Sequence, residues 1–165
     1  MEKISTFAND SIYPVERAID VEYFYTENGI LKSKMTASVL NKYEQPEIYT
    51  ELLKGFKLEM YDSAGVINST ISANYAKKYD KRNLLEAKYN VIVTDHIENK
   101  NMYTEHLIYD EENDRIYSDK FVKIVQPDKI IFGDGFESDK NFTQYTIVHV
   151  KGEIMLSRSD DEEQK

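Results

Sequence analysis

The feature that most constrains this chain is a two-residue alternation of apolar and polar side chains, interrupted by turn residues and repeated along most of its length. From Gly65 to Tyr75, one face carries Ile67, Ser69, Ile71, Ala73 and Tyr75, and the other carries Val66, Asn68, Thr70, Ser72 and Asn74. Side chains on a strand point alternately to opposite faces, so the first set is expected to face inward. From Leu84 to Val93, Leu85, Ala87, Tyr89, Val91 and Val93 oppose Leu84, Glu86, Lys88, Asn90 and Ile92. Phe56, Leu58 and Met60 form a third apolar face, and Phe142 to Val150 reads as a long final strand. Turn chemistry falls between the runs, at Asn28-Gly29, Ala64-Gly65, Tyr79 to Asn83, Glu98 to Asn101, Asp110 to Asp114, Pro127-Asp128 and Lys151-Gly152. The one candidate for a helical turn is Pro46 to Lys54, which a loop would satisfy equally well. Such a ladder specifies an all-β fold.

The ladder repeats itself. Residues 28–43 match residues 64–79 at a constant shift of 36, pairing Gly29 with Gly65, Ser33 with Ser69, Ala37 with Ala73 and Tyr43 with Tyr79. A fainter third copy runs from Lys100 to Tyr109, with Thr104 in the Ser position. The repeated unit is a hairpin, and stacked hairpins build an elongated sheet that grows along one axis and exposes unpaired strand edges at both ends. Outside the ladder, residues 1–13 read as a flexible lead-in and residues 157–165 (SRSDDEEQK) as a disordered charged tail, leaving 14–156 as one domain.

Composition narrows the function. The 165 residues carry a net charge of −9, which opposes binding to nucleic acid or to anionic headgroups by charge alone. With no cysteine there are no disulfides, thiolate metal sites or cysteine nucleophiles. No run reaches the roughly 18–20 apolar residues that span a bilayer, and Glu2 and Lys3 directly after Met1 do not open a signal peptide.

No motif frames a catalytic site. His96, His106 and His149 are scattered, whereas metal binding needs convergent ligands. Asp110 to Asp114 resembles a calcium loop only in charge, because Arg115 stands where the loop needs Gly and Phe121 where it needs Glu. The Asn-x-Ser/Thr triplets at Asn9, Asn68 and Asn141 mean little if the source is bacterial. The expectation is a non-enzyme without cofactor or metal. Gly133-Asp134-Gly135 reads as a tight turn or bulge that needs positive φ and leaves the last strand free to pair.

Several segments, in order, resemble the LptC family of lipopolysaccharide-export proteins in its Bacteroidetes-type form. They are Ser72-Ala73 followed by Tyr75 and Tyr79, the Leu84-Leu85-Glu86-Ala87 strand with Val91 and Val93, and Thr104-Glu105-x-Leu107-x-Tyr109. Tyr117-Ser118-Asp119 and Gly133-Asp134-Gly135-Phe136-Glu137-Ser138 follow, and the likeness covers roughly Pro14 to Gly152. The resemblance implies an elongated, twisted antiparallel β-jellyroll in the periplasm, held at the inner membrane by an N-terminal anchor. No anchor is visible here, so Met1 reads as an artificial start.

The resemblance also implies the partners: lipopolysaccharide through its lipid A acyl chains, the inner-membrane lipopolysaccharide ABC transporter, and an LptA-like periplasmic jellyroll. The acyl chains would lie in a hydrophobic trough lined by Ile67, Ile71, Ala73, Leu85, Ala87, Tyr89, Val91, Val93, Leu107, Phe121 and Phe132. The transporter-side edge would lie at Tyr23 and Tyr25, and the bridge-side edge at Gly135, Tyr145, Ile147 and Val148. Read from the residues alone, the inward faces are equally compatible with a plain packed core. A generic extracytoplasmic β module that binds protein or glycan, or a sandwich hydrolase with two converging carboxylates, therefore stays open.

Overall fold

A computed structural model of the chain describes residues 12–156. Of the expected lead-in, Ile12 and Tyr13 are described and exposed. The rest of the lead-in and the tail 157–165 lie outside the described residues.

The alternating runs form ten strands: β1 (Glu16–Glu27), β2 (Ile30–Tyr43), β3 (Tyr49–Tyr61), β4 (Ile67–Tyr79), β5 (Leu84–Asp95), β6 (Lys100–Asp110), β7 (Arg115–Ser118), β8 (Val122–Val125), β9 (Lys129–Asp139) and β10 (Tyr145–Met155). All pairings are antiparallel and follow chain order within one sheet. β7 and β8 are two pieces of one interrupted strand, both lying between β6 and β9. The architecture is the expected all-β one. The suggested helix at Pro46 to Lys54 is replaced by a bend and the first half of β3, where Leu52 is fully buried and pairs with Leu40 and Ala76. Gly29 (φ 75°) and Gly65 (φ 79°) occupy equivalent hairpin turns, so the 36-residue repeat is structural as well as textual.

The strands do not run straight. A line of irregular pairing crosses the sheet near the middle of every long strand. β3 passes Lys54 and Gly55 where β2 passes only Ser38 and β4 only Asn74. β5 passes Tyr89 and Asn90 where β6 passes only Glu105. These are β-bulges, which add a residue to one strand, bend it and increase its twist. Left-handed backbone marks the same line at Asp20, Lys54, Gly55, Tyr89, Asn90 and His149, and between β7 and β8 the ladder breaks outright at residues 119–121. Along this line the sheet folds on itself, so that both halves of each strand present apolar side chains to one interior.

The fold line changes which residues face inward. In β4 the buried set runs Ser69, Ile71, Ala73 before the line and switches to Ala76 beyond it. In β6 it runs Met102, Thr104 and then switches to Leu107. β3 and β5 keep their parity only because the bulge supplies an extra residue. Tyr75, expected inward with Ala73, therefore lies opposite Lys88 on the outer face, where its hydroxyl donates to Glu51 Oε1 at 3.0 Å. Large interior side chains such as Phe56, Leu52, Ile71 and Met102 are at most 2% exposed. Full burial of each contributes roughly 1.5–3 kcal/mol.

Gly133-Asp134-Gly135 is a correction. It is no turn: it lies within β9, and neither glycine has positive φ. The glycines are there because β10 passes close by. A Cβ on Gly135 would come within 3.1 Å of Val148 Cβ and 3.2 Å of the Ser118 carbonyl oxygen, and one on Gly133 would meet Ile147 Cγ2 at 2.1 Å. The left-handed residue of this region, His149, belongs to β10. Past β9, Asp139 holds the connection to β10. Its carboxylate accepts the Thr143 and Gln144 N–H groups (2.8 and 2.9 Å) and the hydroxyls of Thr143 and Ser138 (2.6 and 3.2 Å). Partial burial pulls its pKa up, but those hydrogen bonds outweigh burial and the net shift is down.

Two outcomes follow. Gly135→Arg should lose several degrees of melting temperature and hydrogen-exchange protection in β9 and β10, with the β2–β5 amides spared; parental melting together with parental protection would contradict this. Asp139→Asn should cost roughly 1 kcal/mol, at the low end for hydrogen bonds to a charged group because these are solvent-exposed. Because the folded pKa is depressed, that stabilisation is present above the unfolded value near 3.9 and is lost as pH falls through the folded value. The parent should therefore lose more stability than Asp139→Asn below about pH 4, and parallel pH–melting curves would show that the carboxylate contributes nothing.

Candidate functional site

The interior is assembled from directly opposed residues, which in an antiparallel pair share a face. Leu58, Ile71, Val93 and Met102 form one row across β3 to β6, and Leu52, Ala76, Ala87 and Leu107 form another on the far side of the fold line. Alanines 37, 73, 76 and 87 sit close to the line where the halves converge, and all are at most 6% exposed. Small side chains at that crease let the bulky Phe56 and Phe136 fill the space between the halves.

This packed middle opens toward β1. Val21, Tyr23 and Tyr25 are opposite Ala37, Met35 and Ser33, which places them on the inner face. Ile19, opposite Val39 in the row that continues through Leu53 to the outward Tyr75, lies on the outer face. Among the described residues little covers the two tyrosines: Tyr23 is 64% exposed and Tyr25 is 53% exposed, while Val21 and Met35 are half-buried against the core. At the other end of the sheet Tyr145 and Ile147 face inward opposite Ser138 and Phe136, and both pack on the core. Among the described residues β1 and β10 each pair on one side only, so the folded sheet ends there in two free edges.

The expected lining residues divide between the faces. Ile71, Ala73, Leu85, Ala87, Val91, Val93 and Leu107 are brought together inside, and Ile67 is half-buried at the end of β4. Tyr89 is not with them: it is one of the two bulge residues of β5, with φ 66°, and is 59% exposed beside the outward Tyr75. Holding a bulky residue in that left-handed conformation costs about 1–3 kcal/mol. Phe121 stands at the break between β7 and β8, 54% exposed, and stacks on Phe132 at 6.0 Å. Phe132 lies opposite Lys123 and alternates with the inward Ile131, so it too faces outward. Of the bridge-side set, Tyr145, Ile147 and Val148 are on the free edge strand β10. Gly135 is one strand further in and already covered by it.

The interior also holds residues that sequence reasoning placed elsewhere or passed over. Phe142, expected to open the final strand, precedes β10 (Tyr145–Met155, which runs on through Lys151-Gly152). It is fully buried in the β9–β10 connection, against Phe136 and Tyr145 (5.4 and 5.5 Å between ring centroids). Lys100 reaches the same cluster from the β5–β6 hairpin, with Nζ 4.8 Å from the Phe142 ring and 3.3 Å from the nearly inaccessible carboxylate of Asp95. Two hairpin tips from opposite halves of the sheet thus close on each other. The one available signal was that Asp95 and Lys100 flank a turn at cross-strand spacing.

Burial and hydrogen bonding shift several tyrosines and carboxylates. Burial pushes the Tyr109 hydroxyl up, and burial together with Glu51 pushes Tyr75 up. Glu86 is pulled upward by burial but driven below the usual carboxylate range by Lys88 and His106, and a hydrogen bond to His106 lowers Asp119. Each shift runs away from neutrality, the reverse of what general acid–base catalysis requires. Among the described residues no cluster of His, Cys, Asp or Glu is placed to hold a metal ion, and no helix is long and apolar enough to cross a membrane.

Comparison with curated proteins finds no match. The family model described as "Lipopolysaccharide-assembly, LptC-related" matches residues 13–155, which includes all ten strands. A folded antiparallel sheet with an apolar interior and two free edges, matched over nearly its whole length, makes this chain a member of the LptC family of lipopolysaccharide-transport proteins.

Proposed function

We propose that the chain is a non-catalytic carrier that receives lipopolysaccharide from the inner-membrane ABC transporter and passes its acyl chains along the inner face to a following LptA-like jellyroll. The observation that carries this reading is the continuity of the inner face. The apolar surface runs without interruption from the buried rows around Ile71 and Leu107 through Val21 and Met35 to the exposed Tyr23 and Tyr25 at the β1 edge. Acyl burial supplies roughly 0.8 kcal/mol per CH₂, so a few chains outweigh repulsion between exposed charges screened over about 8 Å. The net charge of −9 is therefore no barrier to an anionic glycolipid.

Entry is at β1. The buried middle has no room for acyl chains while Phe56 and Phe136 fill it, so passage requires the two halves of the sheet to part along the fold line. The free edge of β10, with Tyr145, Ile147 and Val148, offers backbone groups for β-augmentation by the next jellyroll. The domain acts in the periplasm at the inner membrane, where the energy for one-way movement comes from the transporter.

Tyr23 and Phe24 make a paired test, because they are adjacent, both exposed, and on opposite faces: Tyr23 lies opposite the inner Met35, and Phe24 opposite the outer Lys34. A photo-crosslinking phenylalanine at Tyr23 should yield adducts with added lipopolysaccharide, and the same residue at Phe24 should not. Equal adducts at both positions would mean non-specific association and would remove the inner face as the carrier surface.

A further inference from the structure

The outer face carries a cleft that the lipid reading does not use. It lies over the fold line, between the β5 bulge and the break between β7 and β8, and has a volume of about 800 Å³. That falls within the roughly 300–1,000 Å³ of small-molecule sites. Its walls combine three kinds of chemistry. Tyr89, Tyr103 and Phe121 offer ring faces and are 59%, 38% and 54% exposed; neither tyrosine hydroxyl has a hydrogen-bond partner among the described residues. Glu105 and Asp119 supply carboxylate acceptors, with Glu105 also receiving the Asn90 N–H at 3.3 Å. Lys123 has no ion-pair partner among the described residues, and Lys120 touches Asp119 only at 4.0 Å.

The backbone beneath the cleft shows how Tyr89 comes to line it. Two equivalent bulges cross the fold line, in β3 and β5. The β3 bulge is Lys54-Gly55, with Lys54 left-handed at φ 58° in the position equivalent to Tyr89 and glycine at φ 96° in the second. The β5 bulge is Tyr89-Asn90, and the bulky tyrosine is held left-handed at φ 66°. Neither the ladder nor the core needs that ring: it is exposed, and the interior is completed by Ala87 and Val91 on either side. The left-handed backbone of the bulge sets the Tyr89 ring on the wall of the cleft.

We propose that this outer cleft binds an anionic sugar. Ring faces stack on the apolar face of a pyranose, carboxylates and tyrosine hydroxyls pair with its hydroxyl groups, and Lys120 and Lys123 take its acidic substituent. An aliphatic ligand would leave the carboxylates and lysines unused. A simple anion would not need the rings and would face two carboxylates. The aromatic and charged walls of the site lie on the outer face, with the buried Val91 and Thr104 at its floor, and the site stands whether or not the inner surface carries lipid.

Amide chemical-shift titration of the purified chain with glucuronate tests the proposal, with glucose and acetate as partial ligands. Glucuronate should produce saturable shifts at Asn90, Phe121 and Lys123 in the millimolar range, with glucose and acetate each at least about tenfold weaker. Tyr89→Gly suits the left-handed backbone, so it should fold, melt no lower than the parent, and bind about tenfold more weakly. Lys123→Gln should abolish the preference for glucuronate over glucose. Competition with deacylated lipopolysaccharide assigns the source: displacement of glucuronate marks a glycolipid headgroup and its failure a free acidic sugar, and both uphold the site. The absence of saturable shifts, acetate binding as tightly as glucuronate, or a folded Tyr89→Gly with parental affinity would each overturn it. Failure of this titration leaves the Tyr23 crosslink untouched, and the reverse also holds.

Discussion

A single antiparallel sheet of ten strands can enclose an interior only if it folds across its own strands, and in this protein everything else depends on how that fold is made. Straight strands with strict alternation would give a flat sheet with one apolar face and nothing to cover it. The bulges at Lys54-Gly55 and Tyr89-Asn90, the left-handed residues Asp20 and His149, and the break between Ser118 and Val122 stand in register across the sheet. Each bends its strand in the same sense, so the two half-sheets come face to face. The apolar side chains then cover one another, and the hydrophobic term stabilises a sheet that, among the described residues, has no helix to pack against.

A bend of this kind makes its own demands on composition. Near the crease the half-sheets approach most closely, and alanine occupies positions 37, 73, 76 and 87. Their small side chains leave room for Phe56, which stands directly between Ala37 and Ala73, and for Leu52 beside Ala76. At the far end Phe142 and the Lys100–Asp95 pair tie two hairpin tips together. A buried ion pair adds little net stability, yet removing one partner leaves the other uncompensated, so this contact fixes the geometry more than it strengthens it. The enclosure is thus pinned beyond the middle and loose at β1, where Val21 and Met35 are only half covered.

The sequence showed the strands clearly and the fold line hardly at all. Period-two alternation located β4 and β5, and the 36-residue repeat identified the hairpin as the building unit, because both are local properties of side-chain order. A bulge adds one residue, and its trace in sequence is a slip in alternation indistinguishable from an ordinary polar substitution. Carrying the inward face of Ala73 on to Tyr75, and of Ala87 on to Tyr89, therefore ran through the line without seeing it. The glycine pair in β9 misled for a related reason: Gly133 and Gly135 read as backbone freedom, whereas close approach of β10 requires them. The interior residues Ile71, Ala73, Leu85, Ala87, Val91, Val93 and Leu107 were legible because none lies within the slip itself. Phe121 and Phe132 were not, because the break that sends Phe121 outward depends on which strands flank it.

The free edges pose the last constraint. A long exposed strand bearing apolar residues invites pairing with a copy of itself, and proteins counter this with charge. β1 carries Glu16, Asp20, Glu22 and Glu27 against the single Arg17, so pairing of two β1 strands would set carboxylate against carboxylate. β10 carries Lys151 and Glu153 and is close to neutral. The edges are therefore unlike, and each disfavours a different partner. A sheet that must stay open at both ends gains specificity from that difference: the acidic edge accepts a strand that is neutral or basic, and the neutral edge accepts a strand chosen by its side-chain fit to Ile147 and Val148. The acidic net charge, which first reads only as an argument against nucleic acid, is at β1 part of what keeps the open edge from pairing with itself.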